Sequence, residues 1–356
     1  MSDTVRVLIV DDSPVARGLL KSGFEAEPGL EVVGAVADGE AALAVLDRLQ
    51  PDVITMDVIM PRMDGYQAVE AIMKRRPTPI LVVTDIEPTA VIFRMLFAGA
   101  VDVARKPLGR GDALRALAER VKLLGKVNMD AVVRRQMSER FARWDPHGTS
   151  PLVLPATGTL RTARFPVVVL VASAGGPRAL AQVIGRFPPN MKAAVLIVQH
   201  IPPDFGPGLA DWLTEVTNHR IRLARSGEVM RPGQFYLAPG DYHLEVSLQN
   251  TLRLSQTAFV NGVRPSADVT LKTAAHFLGD RVIAAIMTGM GTDGAEGAQF
   301  VKQKGGQVVV QDEATSLIYS MPKAARAASD AERPIEEIAT WILRRLRDMQ
   351  WQIPQN

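Results

Sequence analysis

The sequence predicts an α/β protein with two doubly wound parallel sheets, one in each half of the chain. Short apolar runs of strand length alternate with helical patterns from residue 4 to 124, and the same alternation resumes at residue 165. Between them, 125–164 is rich in Arg, Pro, Gly and Thr and only weakly apolar. We therefore predict one domain over 1–124, a linker over 125–164 and a second domain over 165–350.

The first half contains five strand-helix units. Strands are predicted over 6–10, 30–36, 53–56, 80–83 and 101–104, with amphipathic helices over 40–49 and 66–75. Leu114, Leu117, Val121 and Leu124 recur at helical spacing and predict a last helix. Strands that alternate with helices are typical of a parallel sheet covered on both faces.

The second half predicts a three-layer α/β domain with a hairpin. Strands are expected over 167–171, 195–198, 234–238, 282–287 and 308–310, and helices over 178–187, 266–277, 295–304 and 335–349. Alternating apolar positions over 242–254, on either side of Gln249-Asn250, predict an antiparallel hairpin.

Composition narrows the possible functions. Of the 356 residues, 47% are hydrophobic and 22% charged, as in ordinary globular proteins, and no apolar run is long enough for membrane insertion. The absence of cysteine excludes disulfides and thiolate sites and suits a reducing cytosol, so we expect a cytoplasmic location. A net charge of +3 is too small to indicate nucleic acid as a partner.

Polar side chains follow the predicted strands of the first half. Asp11 and Asp12 end the first strand, Asp57 follows the third, Thr84 ends the fourth and Lys106 follows the fifth. The carboxyl ends of parallel strands meet at one edge of a sheet, so these groups are expected to converge. Clustered carboxylates favour a hard divalent cation such as Mg²⁺, and the ammonium group would offset charge on a transferring phosphoryl group.

These residues resemble the receiver domain of two-component response regulators. The matching stretches are Val7-Leu-Ile-Val-Asp-Asp-Ser13, Met56-Asp-Val-Ile-Met-Pro-Arg-Met-Asp-Gly65 and Lys106-Pro107. The resemblance implies phosphorylation of Asp57 by a histidine kinase, with Mg²⁺ held by Asp11, Asp12 and Asp57. It also implies that Thr84 and Lys106 respond to the phosphoryl group. Val103 stands where the family usually has an aromatic residue.

Three apolar runs of the second half lead into residue types found in hydrolases. Ser173 follows the first run, His200 the second, and the loop after the 282–287 run contains Asp293. A serine, a histidine and an aspartate at neighbouring strand ends would form a catalytic triad for acyl transfer. Ser173 lies on a turn between a strand and a helix, where backbone N–H groups can bind an oxyanion.

The same loop also fits a different class of enzyme. Gly289-Met-Gly-Thr-Asp-Gly294 is a G-x-G-x-x-G pattern between a strand and a helix, and Asp312 follows near the position of a ribose-binding acid. This pattern predicts a dinucleotide site. That alternative leaves Ser173 and His200 without a role, and little chain remains after Asp312 to complete such a site.

The second half resembles the catalytic domain of chemotaxis protein-glutamate methylesterases. The matching stretches are Ala172-Ser-Ala-Gly-Gly-Pro177, Gln199-His-Ile-Pro-Pro203, Tyr236-Leu-Ala-Pro-Gly240, Asn261-Gly-Val-Arg-Pro-Ser266, Thr288-Gly-Met-Gly-Thr-Asp-Gly294 and Gln311-Asp-Glu-Ala-Thr-Ser316. The resemblance implies Ser173 as nucleophile, His200 as base and acid, Asp293 as its orienter, and the backbone near Met290 and Ala174 around the oxyanion. It implies hydrolysis of glutamate methyl esters and glutamine amides on chemoreceptors, activated by phosphorylation and without a cofactor in the esterase.

Several positions depart from the usual pattern of that family. Ala174 replaces a threonine, Asp204 a glycine, Trp212 an arginine and Val263 a histidine, and Ser320 stands where glycine is usual. We expect these changes to affect substrate choice more than chemistry. Ala174 and Trp212 motivate an alternative, in which the chain is a phosphorylation-dependent binding protein with a degenerate esterase domain.

Overall fold

The computed structural model describes residues 4–85, 90–107, 109, 111–127, 129 and 165–349. Most of the predicted linker over 125–164 lies outside the described residues, as does residue 350 of the predicted second domain.

The first domain is a five-stranded parallel sheet with helices on both faces. Its strand order is β2-β1-β3-β4-β5, an order common to doubly wound sheets. The strands are β1 (Val5–Val10), β2 (Leu30–Val36), β3 (Val53–Met56), β4 (Ile80–Thr84) and β5 (Asp102–Arg105). The helices are α1 (Pro14–Glu25), α2 (Gly39–Leu49), α3 (Gly65–Arg75), α4 (Ala90–Ala98) and α5 (Asp112–Leu124).

Side chains in the loops fix where the helices of this domain begin. Ser13 accepts a hydrogen bond from Ala16 N, and Asp38 accepts one from Ala41 N. Asp64 and Gln67 form a reciprocal capping box at the start of α3. These caps satisfy N–H groups that have no partner within the helix, so they set the lengths of the loops at the carboxyl end of the sheet.

The second domain is a seven-stranded parallel sheet between two layers of helices. Its strand order is β14-β13-β12-β6-β7-β9-β8. The sheet strands are β6 (Val167–Ala172), β7 (Ala194–Gln199), β8 (Ile221–Leu223), β9 (Phe235–Leu237), β12 (Val282–Ile286), β13 (Gln307–Gln311) and β14 (Ala331–Arg333). The helices are α6 (Gly176–Ile184), α7 (Gly206–Thr217), α8 (Ala267–Leu278), α9 (Ala295–Gln303), α10 (Ser320–Ala325) and α11 (Ile335–Asp348).

The predicted hairpin and the predicted fold class are confirmed. Strands β10 (His243–Ser247) and β11 (Thr251–Ser255) pair antiparallel, and the turn Leu248–Asn250 joins them. Both large sheets are parallel throughout. The two sheets are therefore doubly wound, as the alternation of apolar runs and helical patterns predicted.

Strand β6 occupies the middle of the second sheet and is buried along its whole length. The chain passes from β6 to its neighbour β7, and it returns much later to β12 on the other side of β6. A reversal of this kind opens a crevice beyond the carboxyl ends of the strands. Ser173 and His200 directly follow β6 and β7 at this crevice.

Helix α7 (Gly206–Thr217) has no counterpart in the sequence prediction. Its first residues are Gly206-Pro207-Gly208, a composition that is typical of turns. Proline is nevertheless favoured in the first turn of a helix, where its missing N–H would have no partner. The buried residues Leu209 and Leu213 lie at helical spacing and belong to the same apolar cluster as residues of β6 and β7.

Candidate active site and its receiver

The acidic pocket predicted in the first domain is assembled. Asp11 and Asp57 are buried, and Lys106 Nζ lies 2.7 Å from Oδ2 of each carboxylate. Carboxylate oxygens of Asp11, Asp12 and Asp57 all lie within 4.8 Å of one another. The structure thus brings together the residues that the strand ends predicted.

The charges of this pocket suit a divalent cation. Burial raises the pKa of Asp11, although Lys106 opposes that shift. Burial also opposes the charge of Lys106, but hydrogen bonds to Asp11 and Asp57 leave the pKa of Lys106 above its usual value. Three carboxylates whose oxygens lie this close together fit Mg²⁺, which prefers oxygen ligands.

Thr84 and Val103 lie on neighbouring strands of the same sheet. Thr84 ends β4 and is fully buried, and Lys106 N donates to Thr84 O over 3.2 Å. Val103 on β5 is also buried. Val103 has no aromatic ring that could rotate between an exposed and a buried position. If Thr84 responds to phosphorylation in this chain, it does so without an aromatic partner at position 103.

We predict that Asp57→Asn abolishes phosphorylation of the chain. An amide is not a nucleophile for a phosphoryl group, whereas a carboxylate beside Mg²⁺ and Lys106 is. Incorporation of ³²P from a labelled acyl phosphate should fall to background, and Asp47→Asn, at an exposed aspartate of α2, should incorporate label like the wild type. Normal labelling of Asp57→Asn would contradict this assignment.

The turn after β6 fixes Ser173. Ser173 N donates to Thr288 O over 3.0 Å, and Gly176 N donates to Ser173 O over 2.8 Å. Gly175 has φ +75, a left-handed conformation that glycine adopts without strain. The side chain of Ser173 thus leaves the sheet at the amino end of α6, which begins at Gly176.

Gln199 joins the serine turn to the histidine, and the sequence analysis gave it no role. Its Nε2 donates to Ser173 O over 2.8 Å and to His200 O over 3.1 Å. The side chain is buried, and a β-carbon at Gly176 would lie 2.0 Å from its Oε1. A polar residue that ends an otherwise apolar strand was the signal available in the sequence.

His200 and Asp293 form the expected pair. His200 Nε2 lies 2.8 Å from Asp293 Oδ2, and Asp293 also accepts hydrogen bonds from Ser266 Oγ and Ala267 N. Burial opposes the charge of Asp293, but these bonds and the imidazole hold its pKa below the usual value. The carboxylate is therefore ionised near neutral pH and orients the ring of His200.

Ser173 follows the strand next to that of His200 but is not hydrogen-bonded to His200. Within the described part of the chain, no hydrogen bond joins Ser173 Oγ to His200. Ser173 is 8% exposed and the side chain of His200 is 10% exposed. Catalytic hydrogen bonds are often long before substrate binds, so the arrangement still permits transfer of a proton from Ser173 to His200.

Two backbone N–H groups next to Ser173 are available to an oxyanion. Within the described residues, Met290 N and Ala174 N donate to no protein acceptor. Ala174 is held by Thr288 Oγ1, which donates to Ala174 O over 2.9 Å. The N–H of the residue after a nucleophilic serine commonly contributes to an oxyanion hole. The small side chain of Ala174 leaves this backbone function intact.

The glycines of the 289–294 loop have roles that do not involve a dinucleotide. A β-carbon at Gly289 would lie 2.8 Å from Ser173 Cβ, so this glycine permits the loop to approach Ser173 closely. Gly291 and Gly294 have φ values of +93 and +96 and form the turn. Asp312, the candidate ribose acid, accepts hydrogen bonds from Thr315 N and Oγ1. The geometry therefore favours the serine site over the dinucleotide site.

We predict that Gly289→Ala lowers kcat/KM by about 100-fold, because a displacement of about 1 Å at a reacting group has effects of this size. The new methyl group would lie 2.2 Å from Met321 Sδ as well as against Ser173. Gly18→Ala is the matched control, since nothing lies within 4 Å of its added β-carbon. Ester hydrolysis by Gly289→Ala at the wild-type rate would contradict the close contact.

The first domain packs over the serine turn. Ala174 and Ile318 belong to the same buried apolar cluster as residues of β4, β5 and α5. Helix α4 contacts α7, where Phe93 and Trp212 stack with ring centroids 5.8 Å apart. Arg105 forms an ion pair with Asp204 and lies over the ring of Phe205. Asp204 and Trp212, which we expected to affect substrate choice, thus contact the first domain.

The fold and the two sites define a protein class: a phosphoacceptor receiver joined to a serine-type hydrolase domain. The sequence profile of the response regulator receiver domain matches residues 7–118, and that of the CheB methylesterase matches residues 168–342. The chain belongs to the CheB methylesterase family.

Relatives match this chain over most of its length. A "protein-glutamate methylesterase/protein-glutamine glutaminase 2" of Anaeromyxobacter dehalogenans is 41% identical, over 94% of this chain and 95% of the relative. A "protein-glutamate methylesterase/protein-glutamine glutaminase" of Pyrococcus abyssi is 38% identical, over 96% of this chain and 93% of the relative. The Thermotoga maritima CheB methylesterase catalytic domain matches with a TM-score of 0.50 and 37% identity, covering 51% of this chain and 98% of that structure.

In the described part of the chain, every helix is too short or too polar to cross a bilayer.

Proposed function

We propose that this chain hydrolyses glutamate methyl esters, and deamidates glutamines, on methylated chemoreceptors. The observation that carries this proposal is the His200–Asp293 pair, 2.8 Å apart, beside a serine turn in a chain that matches a named methylesterase/glutaminase over 94% of its length. Ser173 is the nucleophile, His200 the base and acid, and Asp293 the orienting carboxylate. The esterase chemistry needs only these side chains and backbone N–H groups.

The first half of the reaction forms an acyl-enzyme. The ring nitrogen of His200 that does not face Asp293 takes the Ser173 proton while Oγ attacks the ester carbonyl carbon. The backbone N–H groups of Met290 and Ala174 bind the negative charge that develops on the carbonyl oxygen. When the tetrahedral intermediate collapses, His200 returns the proton to the departing oxygen, and methanol leaves.

The second half regenerates the serine. His200 takes a proton from water, the hydroxide attacks the acyl carbon, and the Ser173 oxygen leaves with that proton. The product is the glutamate side chain. A glutamine amide follows the same route, and ammonia replaces methanol as the first product. One nucleophile thus accounts for both activities in the names of the relatives.

Phosphorylation of Asp57 by a histidine kinase is the control input. Mg²⁺ would be held by Asp11, Asp12 and Asp57, and it would offset charge on the transferring phosphoryl group. Lys106, which contacts Asp57, directly follows Arg105, which pairs with Asp204 of the second domain. Since Arg105 and Lys106 are adjacent in the chain, a displacement of Lys106 upon phosphorylation would also displace Arg105 and weaken its ion pair with Asp204. Loss of that contact exposes the serine turn to substrate.

We predict that Trp212→Ala raises the activity of the unphosphorylated chain by about tenfold. Phe93 and Trp212 stack at 5.8 Å, and loss of an aromatic pair weakens a contact by about 1 kcal/mol beyond the buried area. A weaker contact leaves the serine turn uncovered for a larger share of the time. Basal methanol release, measured without a phosphodonor, checks this expectation.

Two controls accompany this variant. Phe277→Ala removes an aromatic ring that packs on His276 of the same helix, and it should leave basal activity unchanged. Asp204→Arg should raise basal activity by a few-fold, because it breaks the ion pair with Arg105. The double variant with Arg105→Asp has the two charges exchanged, which restores the ion pair and should lower basal activity again. Basal activity of Trp212→Ala equal to that of the wild type would contradict a covering role for this contact.

The alternative is a phosphorylation-dependent binding protein with a degenerate esterase site. The low exposure of Ser173 is consistent with a serine that does not reach substrate, so the two functions need a direct test. Purified chain is mixed with receptor membranes that carry tritiated methyl esters, and volatile label is measured. Label released as methanol in a phosphodonor-dependent manner supports the enzyme. Membranes that bind the phosphorylated chain but release no label would overturn it in favour of the binding protein.

A further inference from the structure

Asp268 is a buried carboxylate that the hydrolytic mechanism does not yet use. It lies in the first turn of α8 (Ala267–Leu278) and is 1% exposed. In the sequence it stands inside the helix predicted over 266–277 and belongs to neither predicted site. Aspartate is rarely so deeply buried unless its oxygens are fully paired.

Asp268 and Asp293 cap each other's helices. Asp293, just before α9 (Ala295–Gln303), accepts from Ala267 N over 2.6 Å and from Asp268 N over 3.2 Å at the start of α8. Asp268 Oδ1 in turn accepts from Gly294 N over 3.1 Å and from Gly297 N over 2.6 Å at the start of α9. Since Gly294 has no side chain, α9 depends on Asp268 for this cap.

Asn261 connects the two carboxylates. Its Nδ2 lies 2.7 Å from Asp268 Oδ2 and 3.4 Å from Asp293 Oδ1. Its backbone has φ 53, in the left-handed region that asparagine and glycine adopt most readily. The amide therefore donates between two acidic groups that would otherwise repel each other.

The surroundings shift the pKa values of Asp268 and Asp293 in opposite directions. Burial raises the pKa of Asp268, the neighbouring Asp293 raises it further, and Lys272 opposes that shift. Asp293 faces His200, and the hydrogen bonds it accepts lower its own pKa. Asp293 is thus the carboxylate that contacts the imidazole, and Asp268 is the one that accepts hydrogen bonds from Gly294 N and Gly297 N.

We propose that Asp268 is a positioning residue for the hydrolytic reaction: by capping α9 it fixes the 289–294 loop, and with Asn261 it directs the carboxylate of Asp293 to His200. The proposal rests on the proposed function. Asp268 touches neither substrate nor the reacting atoms, and its effect reaches Ser173 only through Asp293 and His200.

Two variants test this role in the full chain. Asp268→Asn keeps the size of the side chain but turns an acceptor of the Asn261 amide into a second amide. Asn261→Gly removes the bridging amide and keeps the left-handed backbone without strain. Asp280→Asn, at an exposed aspartate beyond the other end of α8, is the matched control.

Both variants are expected to lower kcat by about 10-fold with KM unchanged, because a small misplacement of a reacting group acts on the chemical step. The rise of kcat/KM with pH should also move to lower pH. A misdirected Asp293 stabilises the protonated imidazole less, so the base is available at lower pH. A purely structural role would reduce the amount of folded enzyme and leave the position of this rise unchanged.

An activity-independent measurement separates this inference from the proposed function. The low-field proton NMR signal of the His200 N–H that faces Asp293, assigned by its loss in His200→Gln, should shift in both variants and stay in place in Asp280→Asn. A wild type that releases no methanol would overturn the proposed function. An unchanged signal and an unchanged pH profile in both variants would overturn the positioning role alone.

Discussion

Ser173→Ala should lower the rate of methanol release by at least about 1,000-fold. Removal of a nucleophilic serine leaves only the contribution of binding and oxyanion stabilisation, and losses up to about 10⁶-fold are known for such sites. The substitution removes one oxygen from a turn that is held by backbone bonds to Thr288 and Gly176, so the fold should be retained. Initial rates on tritiated receptor membranes give the measurement.

Ser329→Ala is the control for this prediction. Among the described residues, Ser329 Oγ donates only to Arg326 O within its own turn, and its loss should leave the rate at the wild-type value. Methanol release by Ser173→Ala at more than a tenth of the wild-type rate would assign the nucleophile to another group.

Asp293→Asn should lower kcat by about 10⁴-fold, as expected for a triad whose histidine loses the carboxylate that sets its tautomer. The amide nitrogen would replace either Oδ2, which faces His200 Nε2 and Ala267 N, or Oδ1, which faces Asp268 N, and both of these arrangements bring donors together. KM should change little, because Asp293 is buried away from substrate. Steady-state rates over a range of receptor concentrations separate the two constants.

Asp312→Asn is the matched control. Within the part of the chain that the structure describes, Asp312 bonds only to Thr315 and Ser316 of its own turn and, through its backbone N–H, to Arg333 O. It should keep full activity. If Asp312→Asn were inactive and Asp293→Asn active, the dinucleotide interpretation of the glycine loop would regain support.

The parallel sheets and the placement of the sites followed from short-range pattern. Apolar runs with a polar residue at one end marked the buried strands, and the carboxyl ends of neighbouring strands then brought Asp11, Asp57 and Lys106 together. The same rule brought His200 and Asp293 within 2.8 Å, although 93 positions separate them. These residues are distant in sequence, and they meet because parallel strands all end at the same edge of the sheet.

Other features depend on contacts that no local pattern encodes. Helix α7 starts with Gly-Pro-Gly, and only the packing of Trp212 on Phe93 explains why that surface is apolar. Asp268 looked like one polar residue inside a helix, because its partners Gly294 and Gly297 come from another helix. The role of Gln199 likewise depends on two backbone oxygens from adjacent strand ends.

The glycine loop shows why local pattern can point to two chemistries. G-x-G-x-x-G marks a tight turn between a strand and a helix whose backbone must approach a neighbour closely. In this chain the close neighbour of Gly289 is Ser173 rather than a phosphate. The pattern predicted the turn, and the identity of the neighbour required the arrangement of the strands.

In the proposed function, phosphorylation of Asp57 gates a hydrolase at Ser173. The most direct measurement follows methanol release from methylated receptor membranes while an acyl phosphate and Mg²⁺ are added to the wild type and to Asp57→Asn. We expect the wild-type rate to rise upon addition and to decay as the phosphoryl group is lost, while Asp57→Asn stays at its basal rate. Equal rates before and after addition in the wild type, or an equal rise in Asp57→Asn, would contradict it.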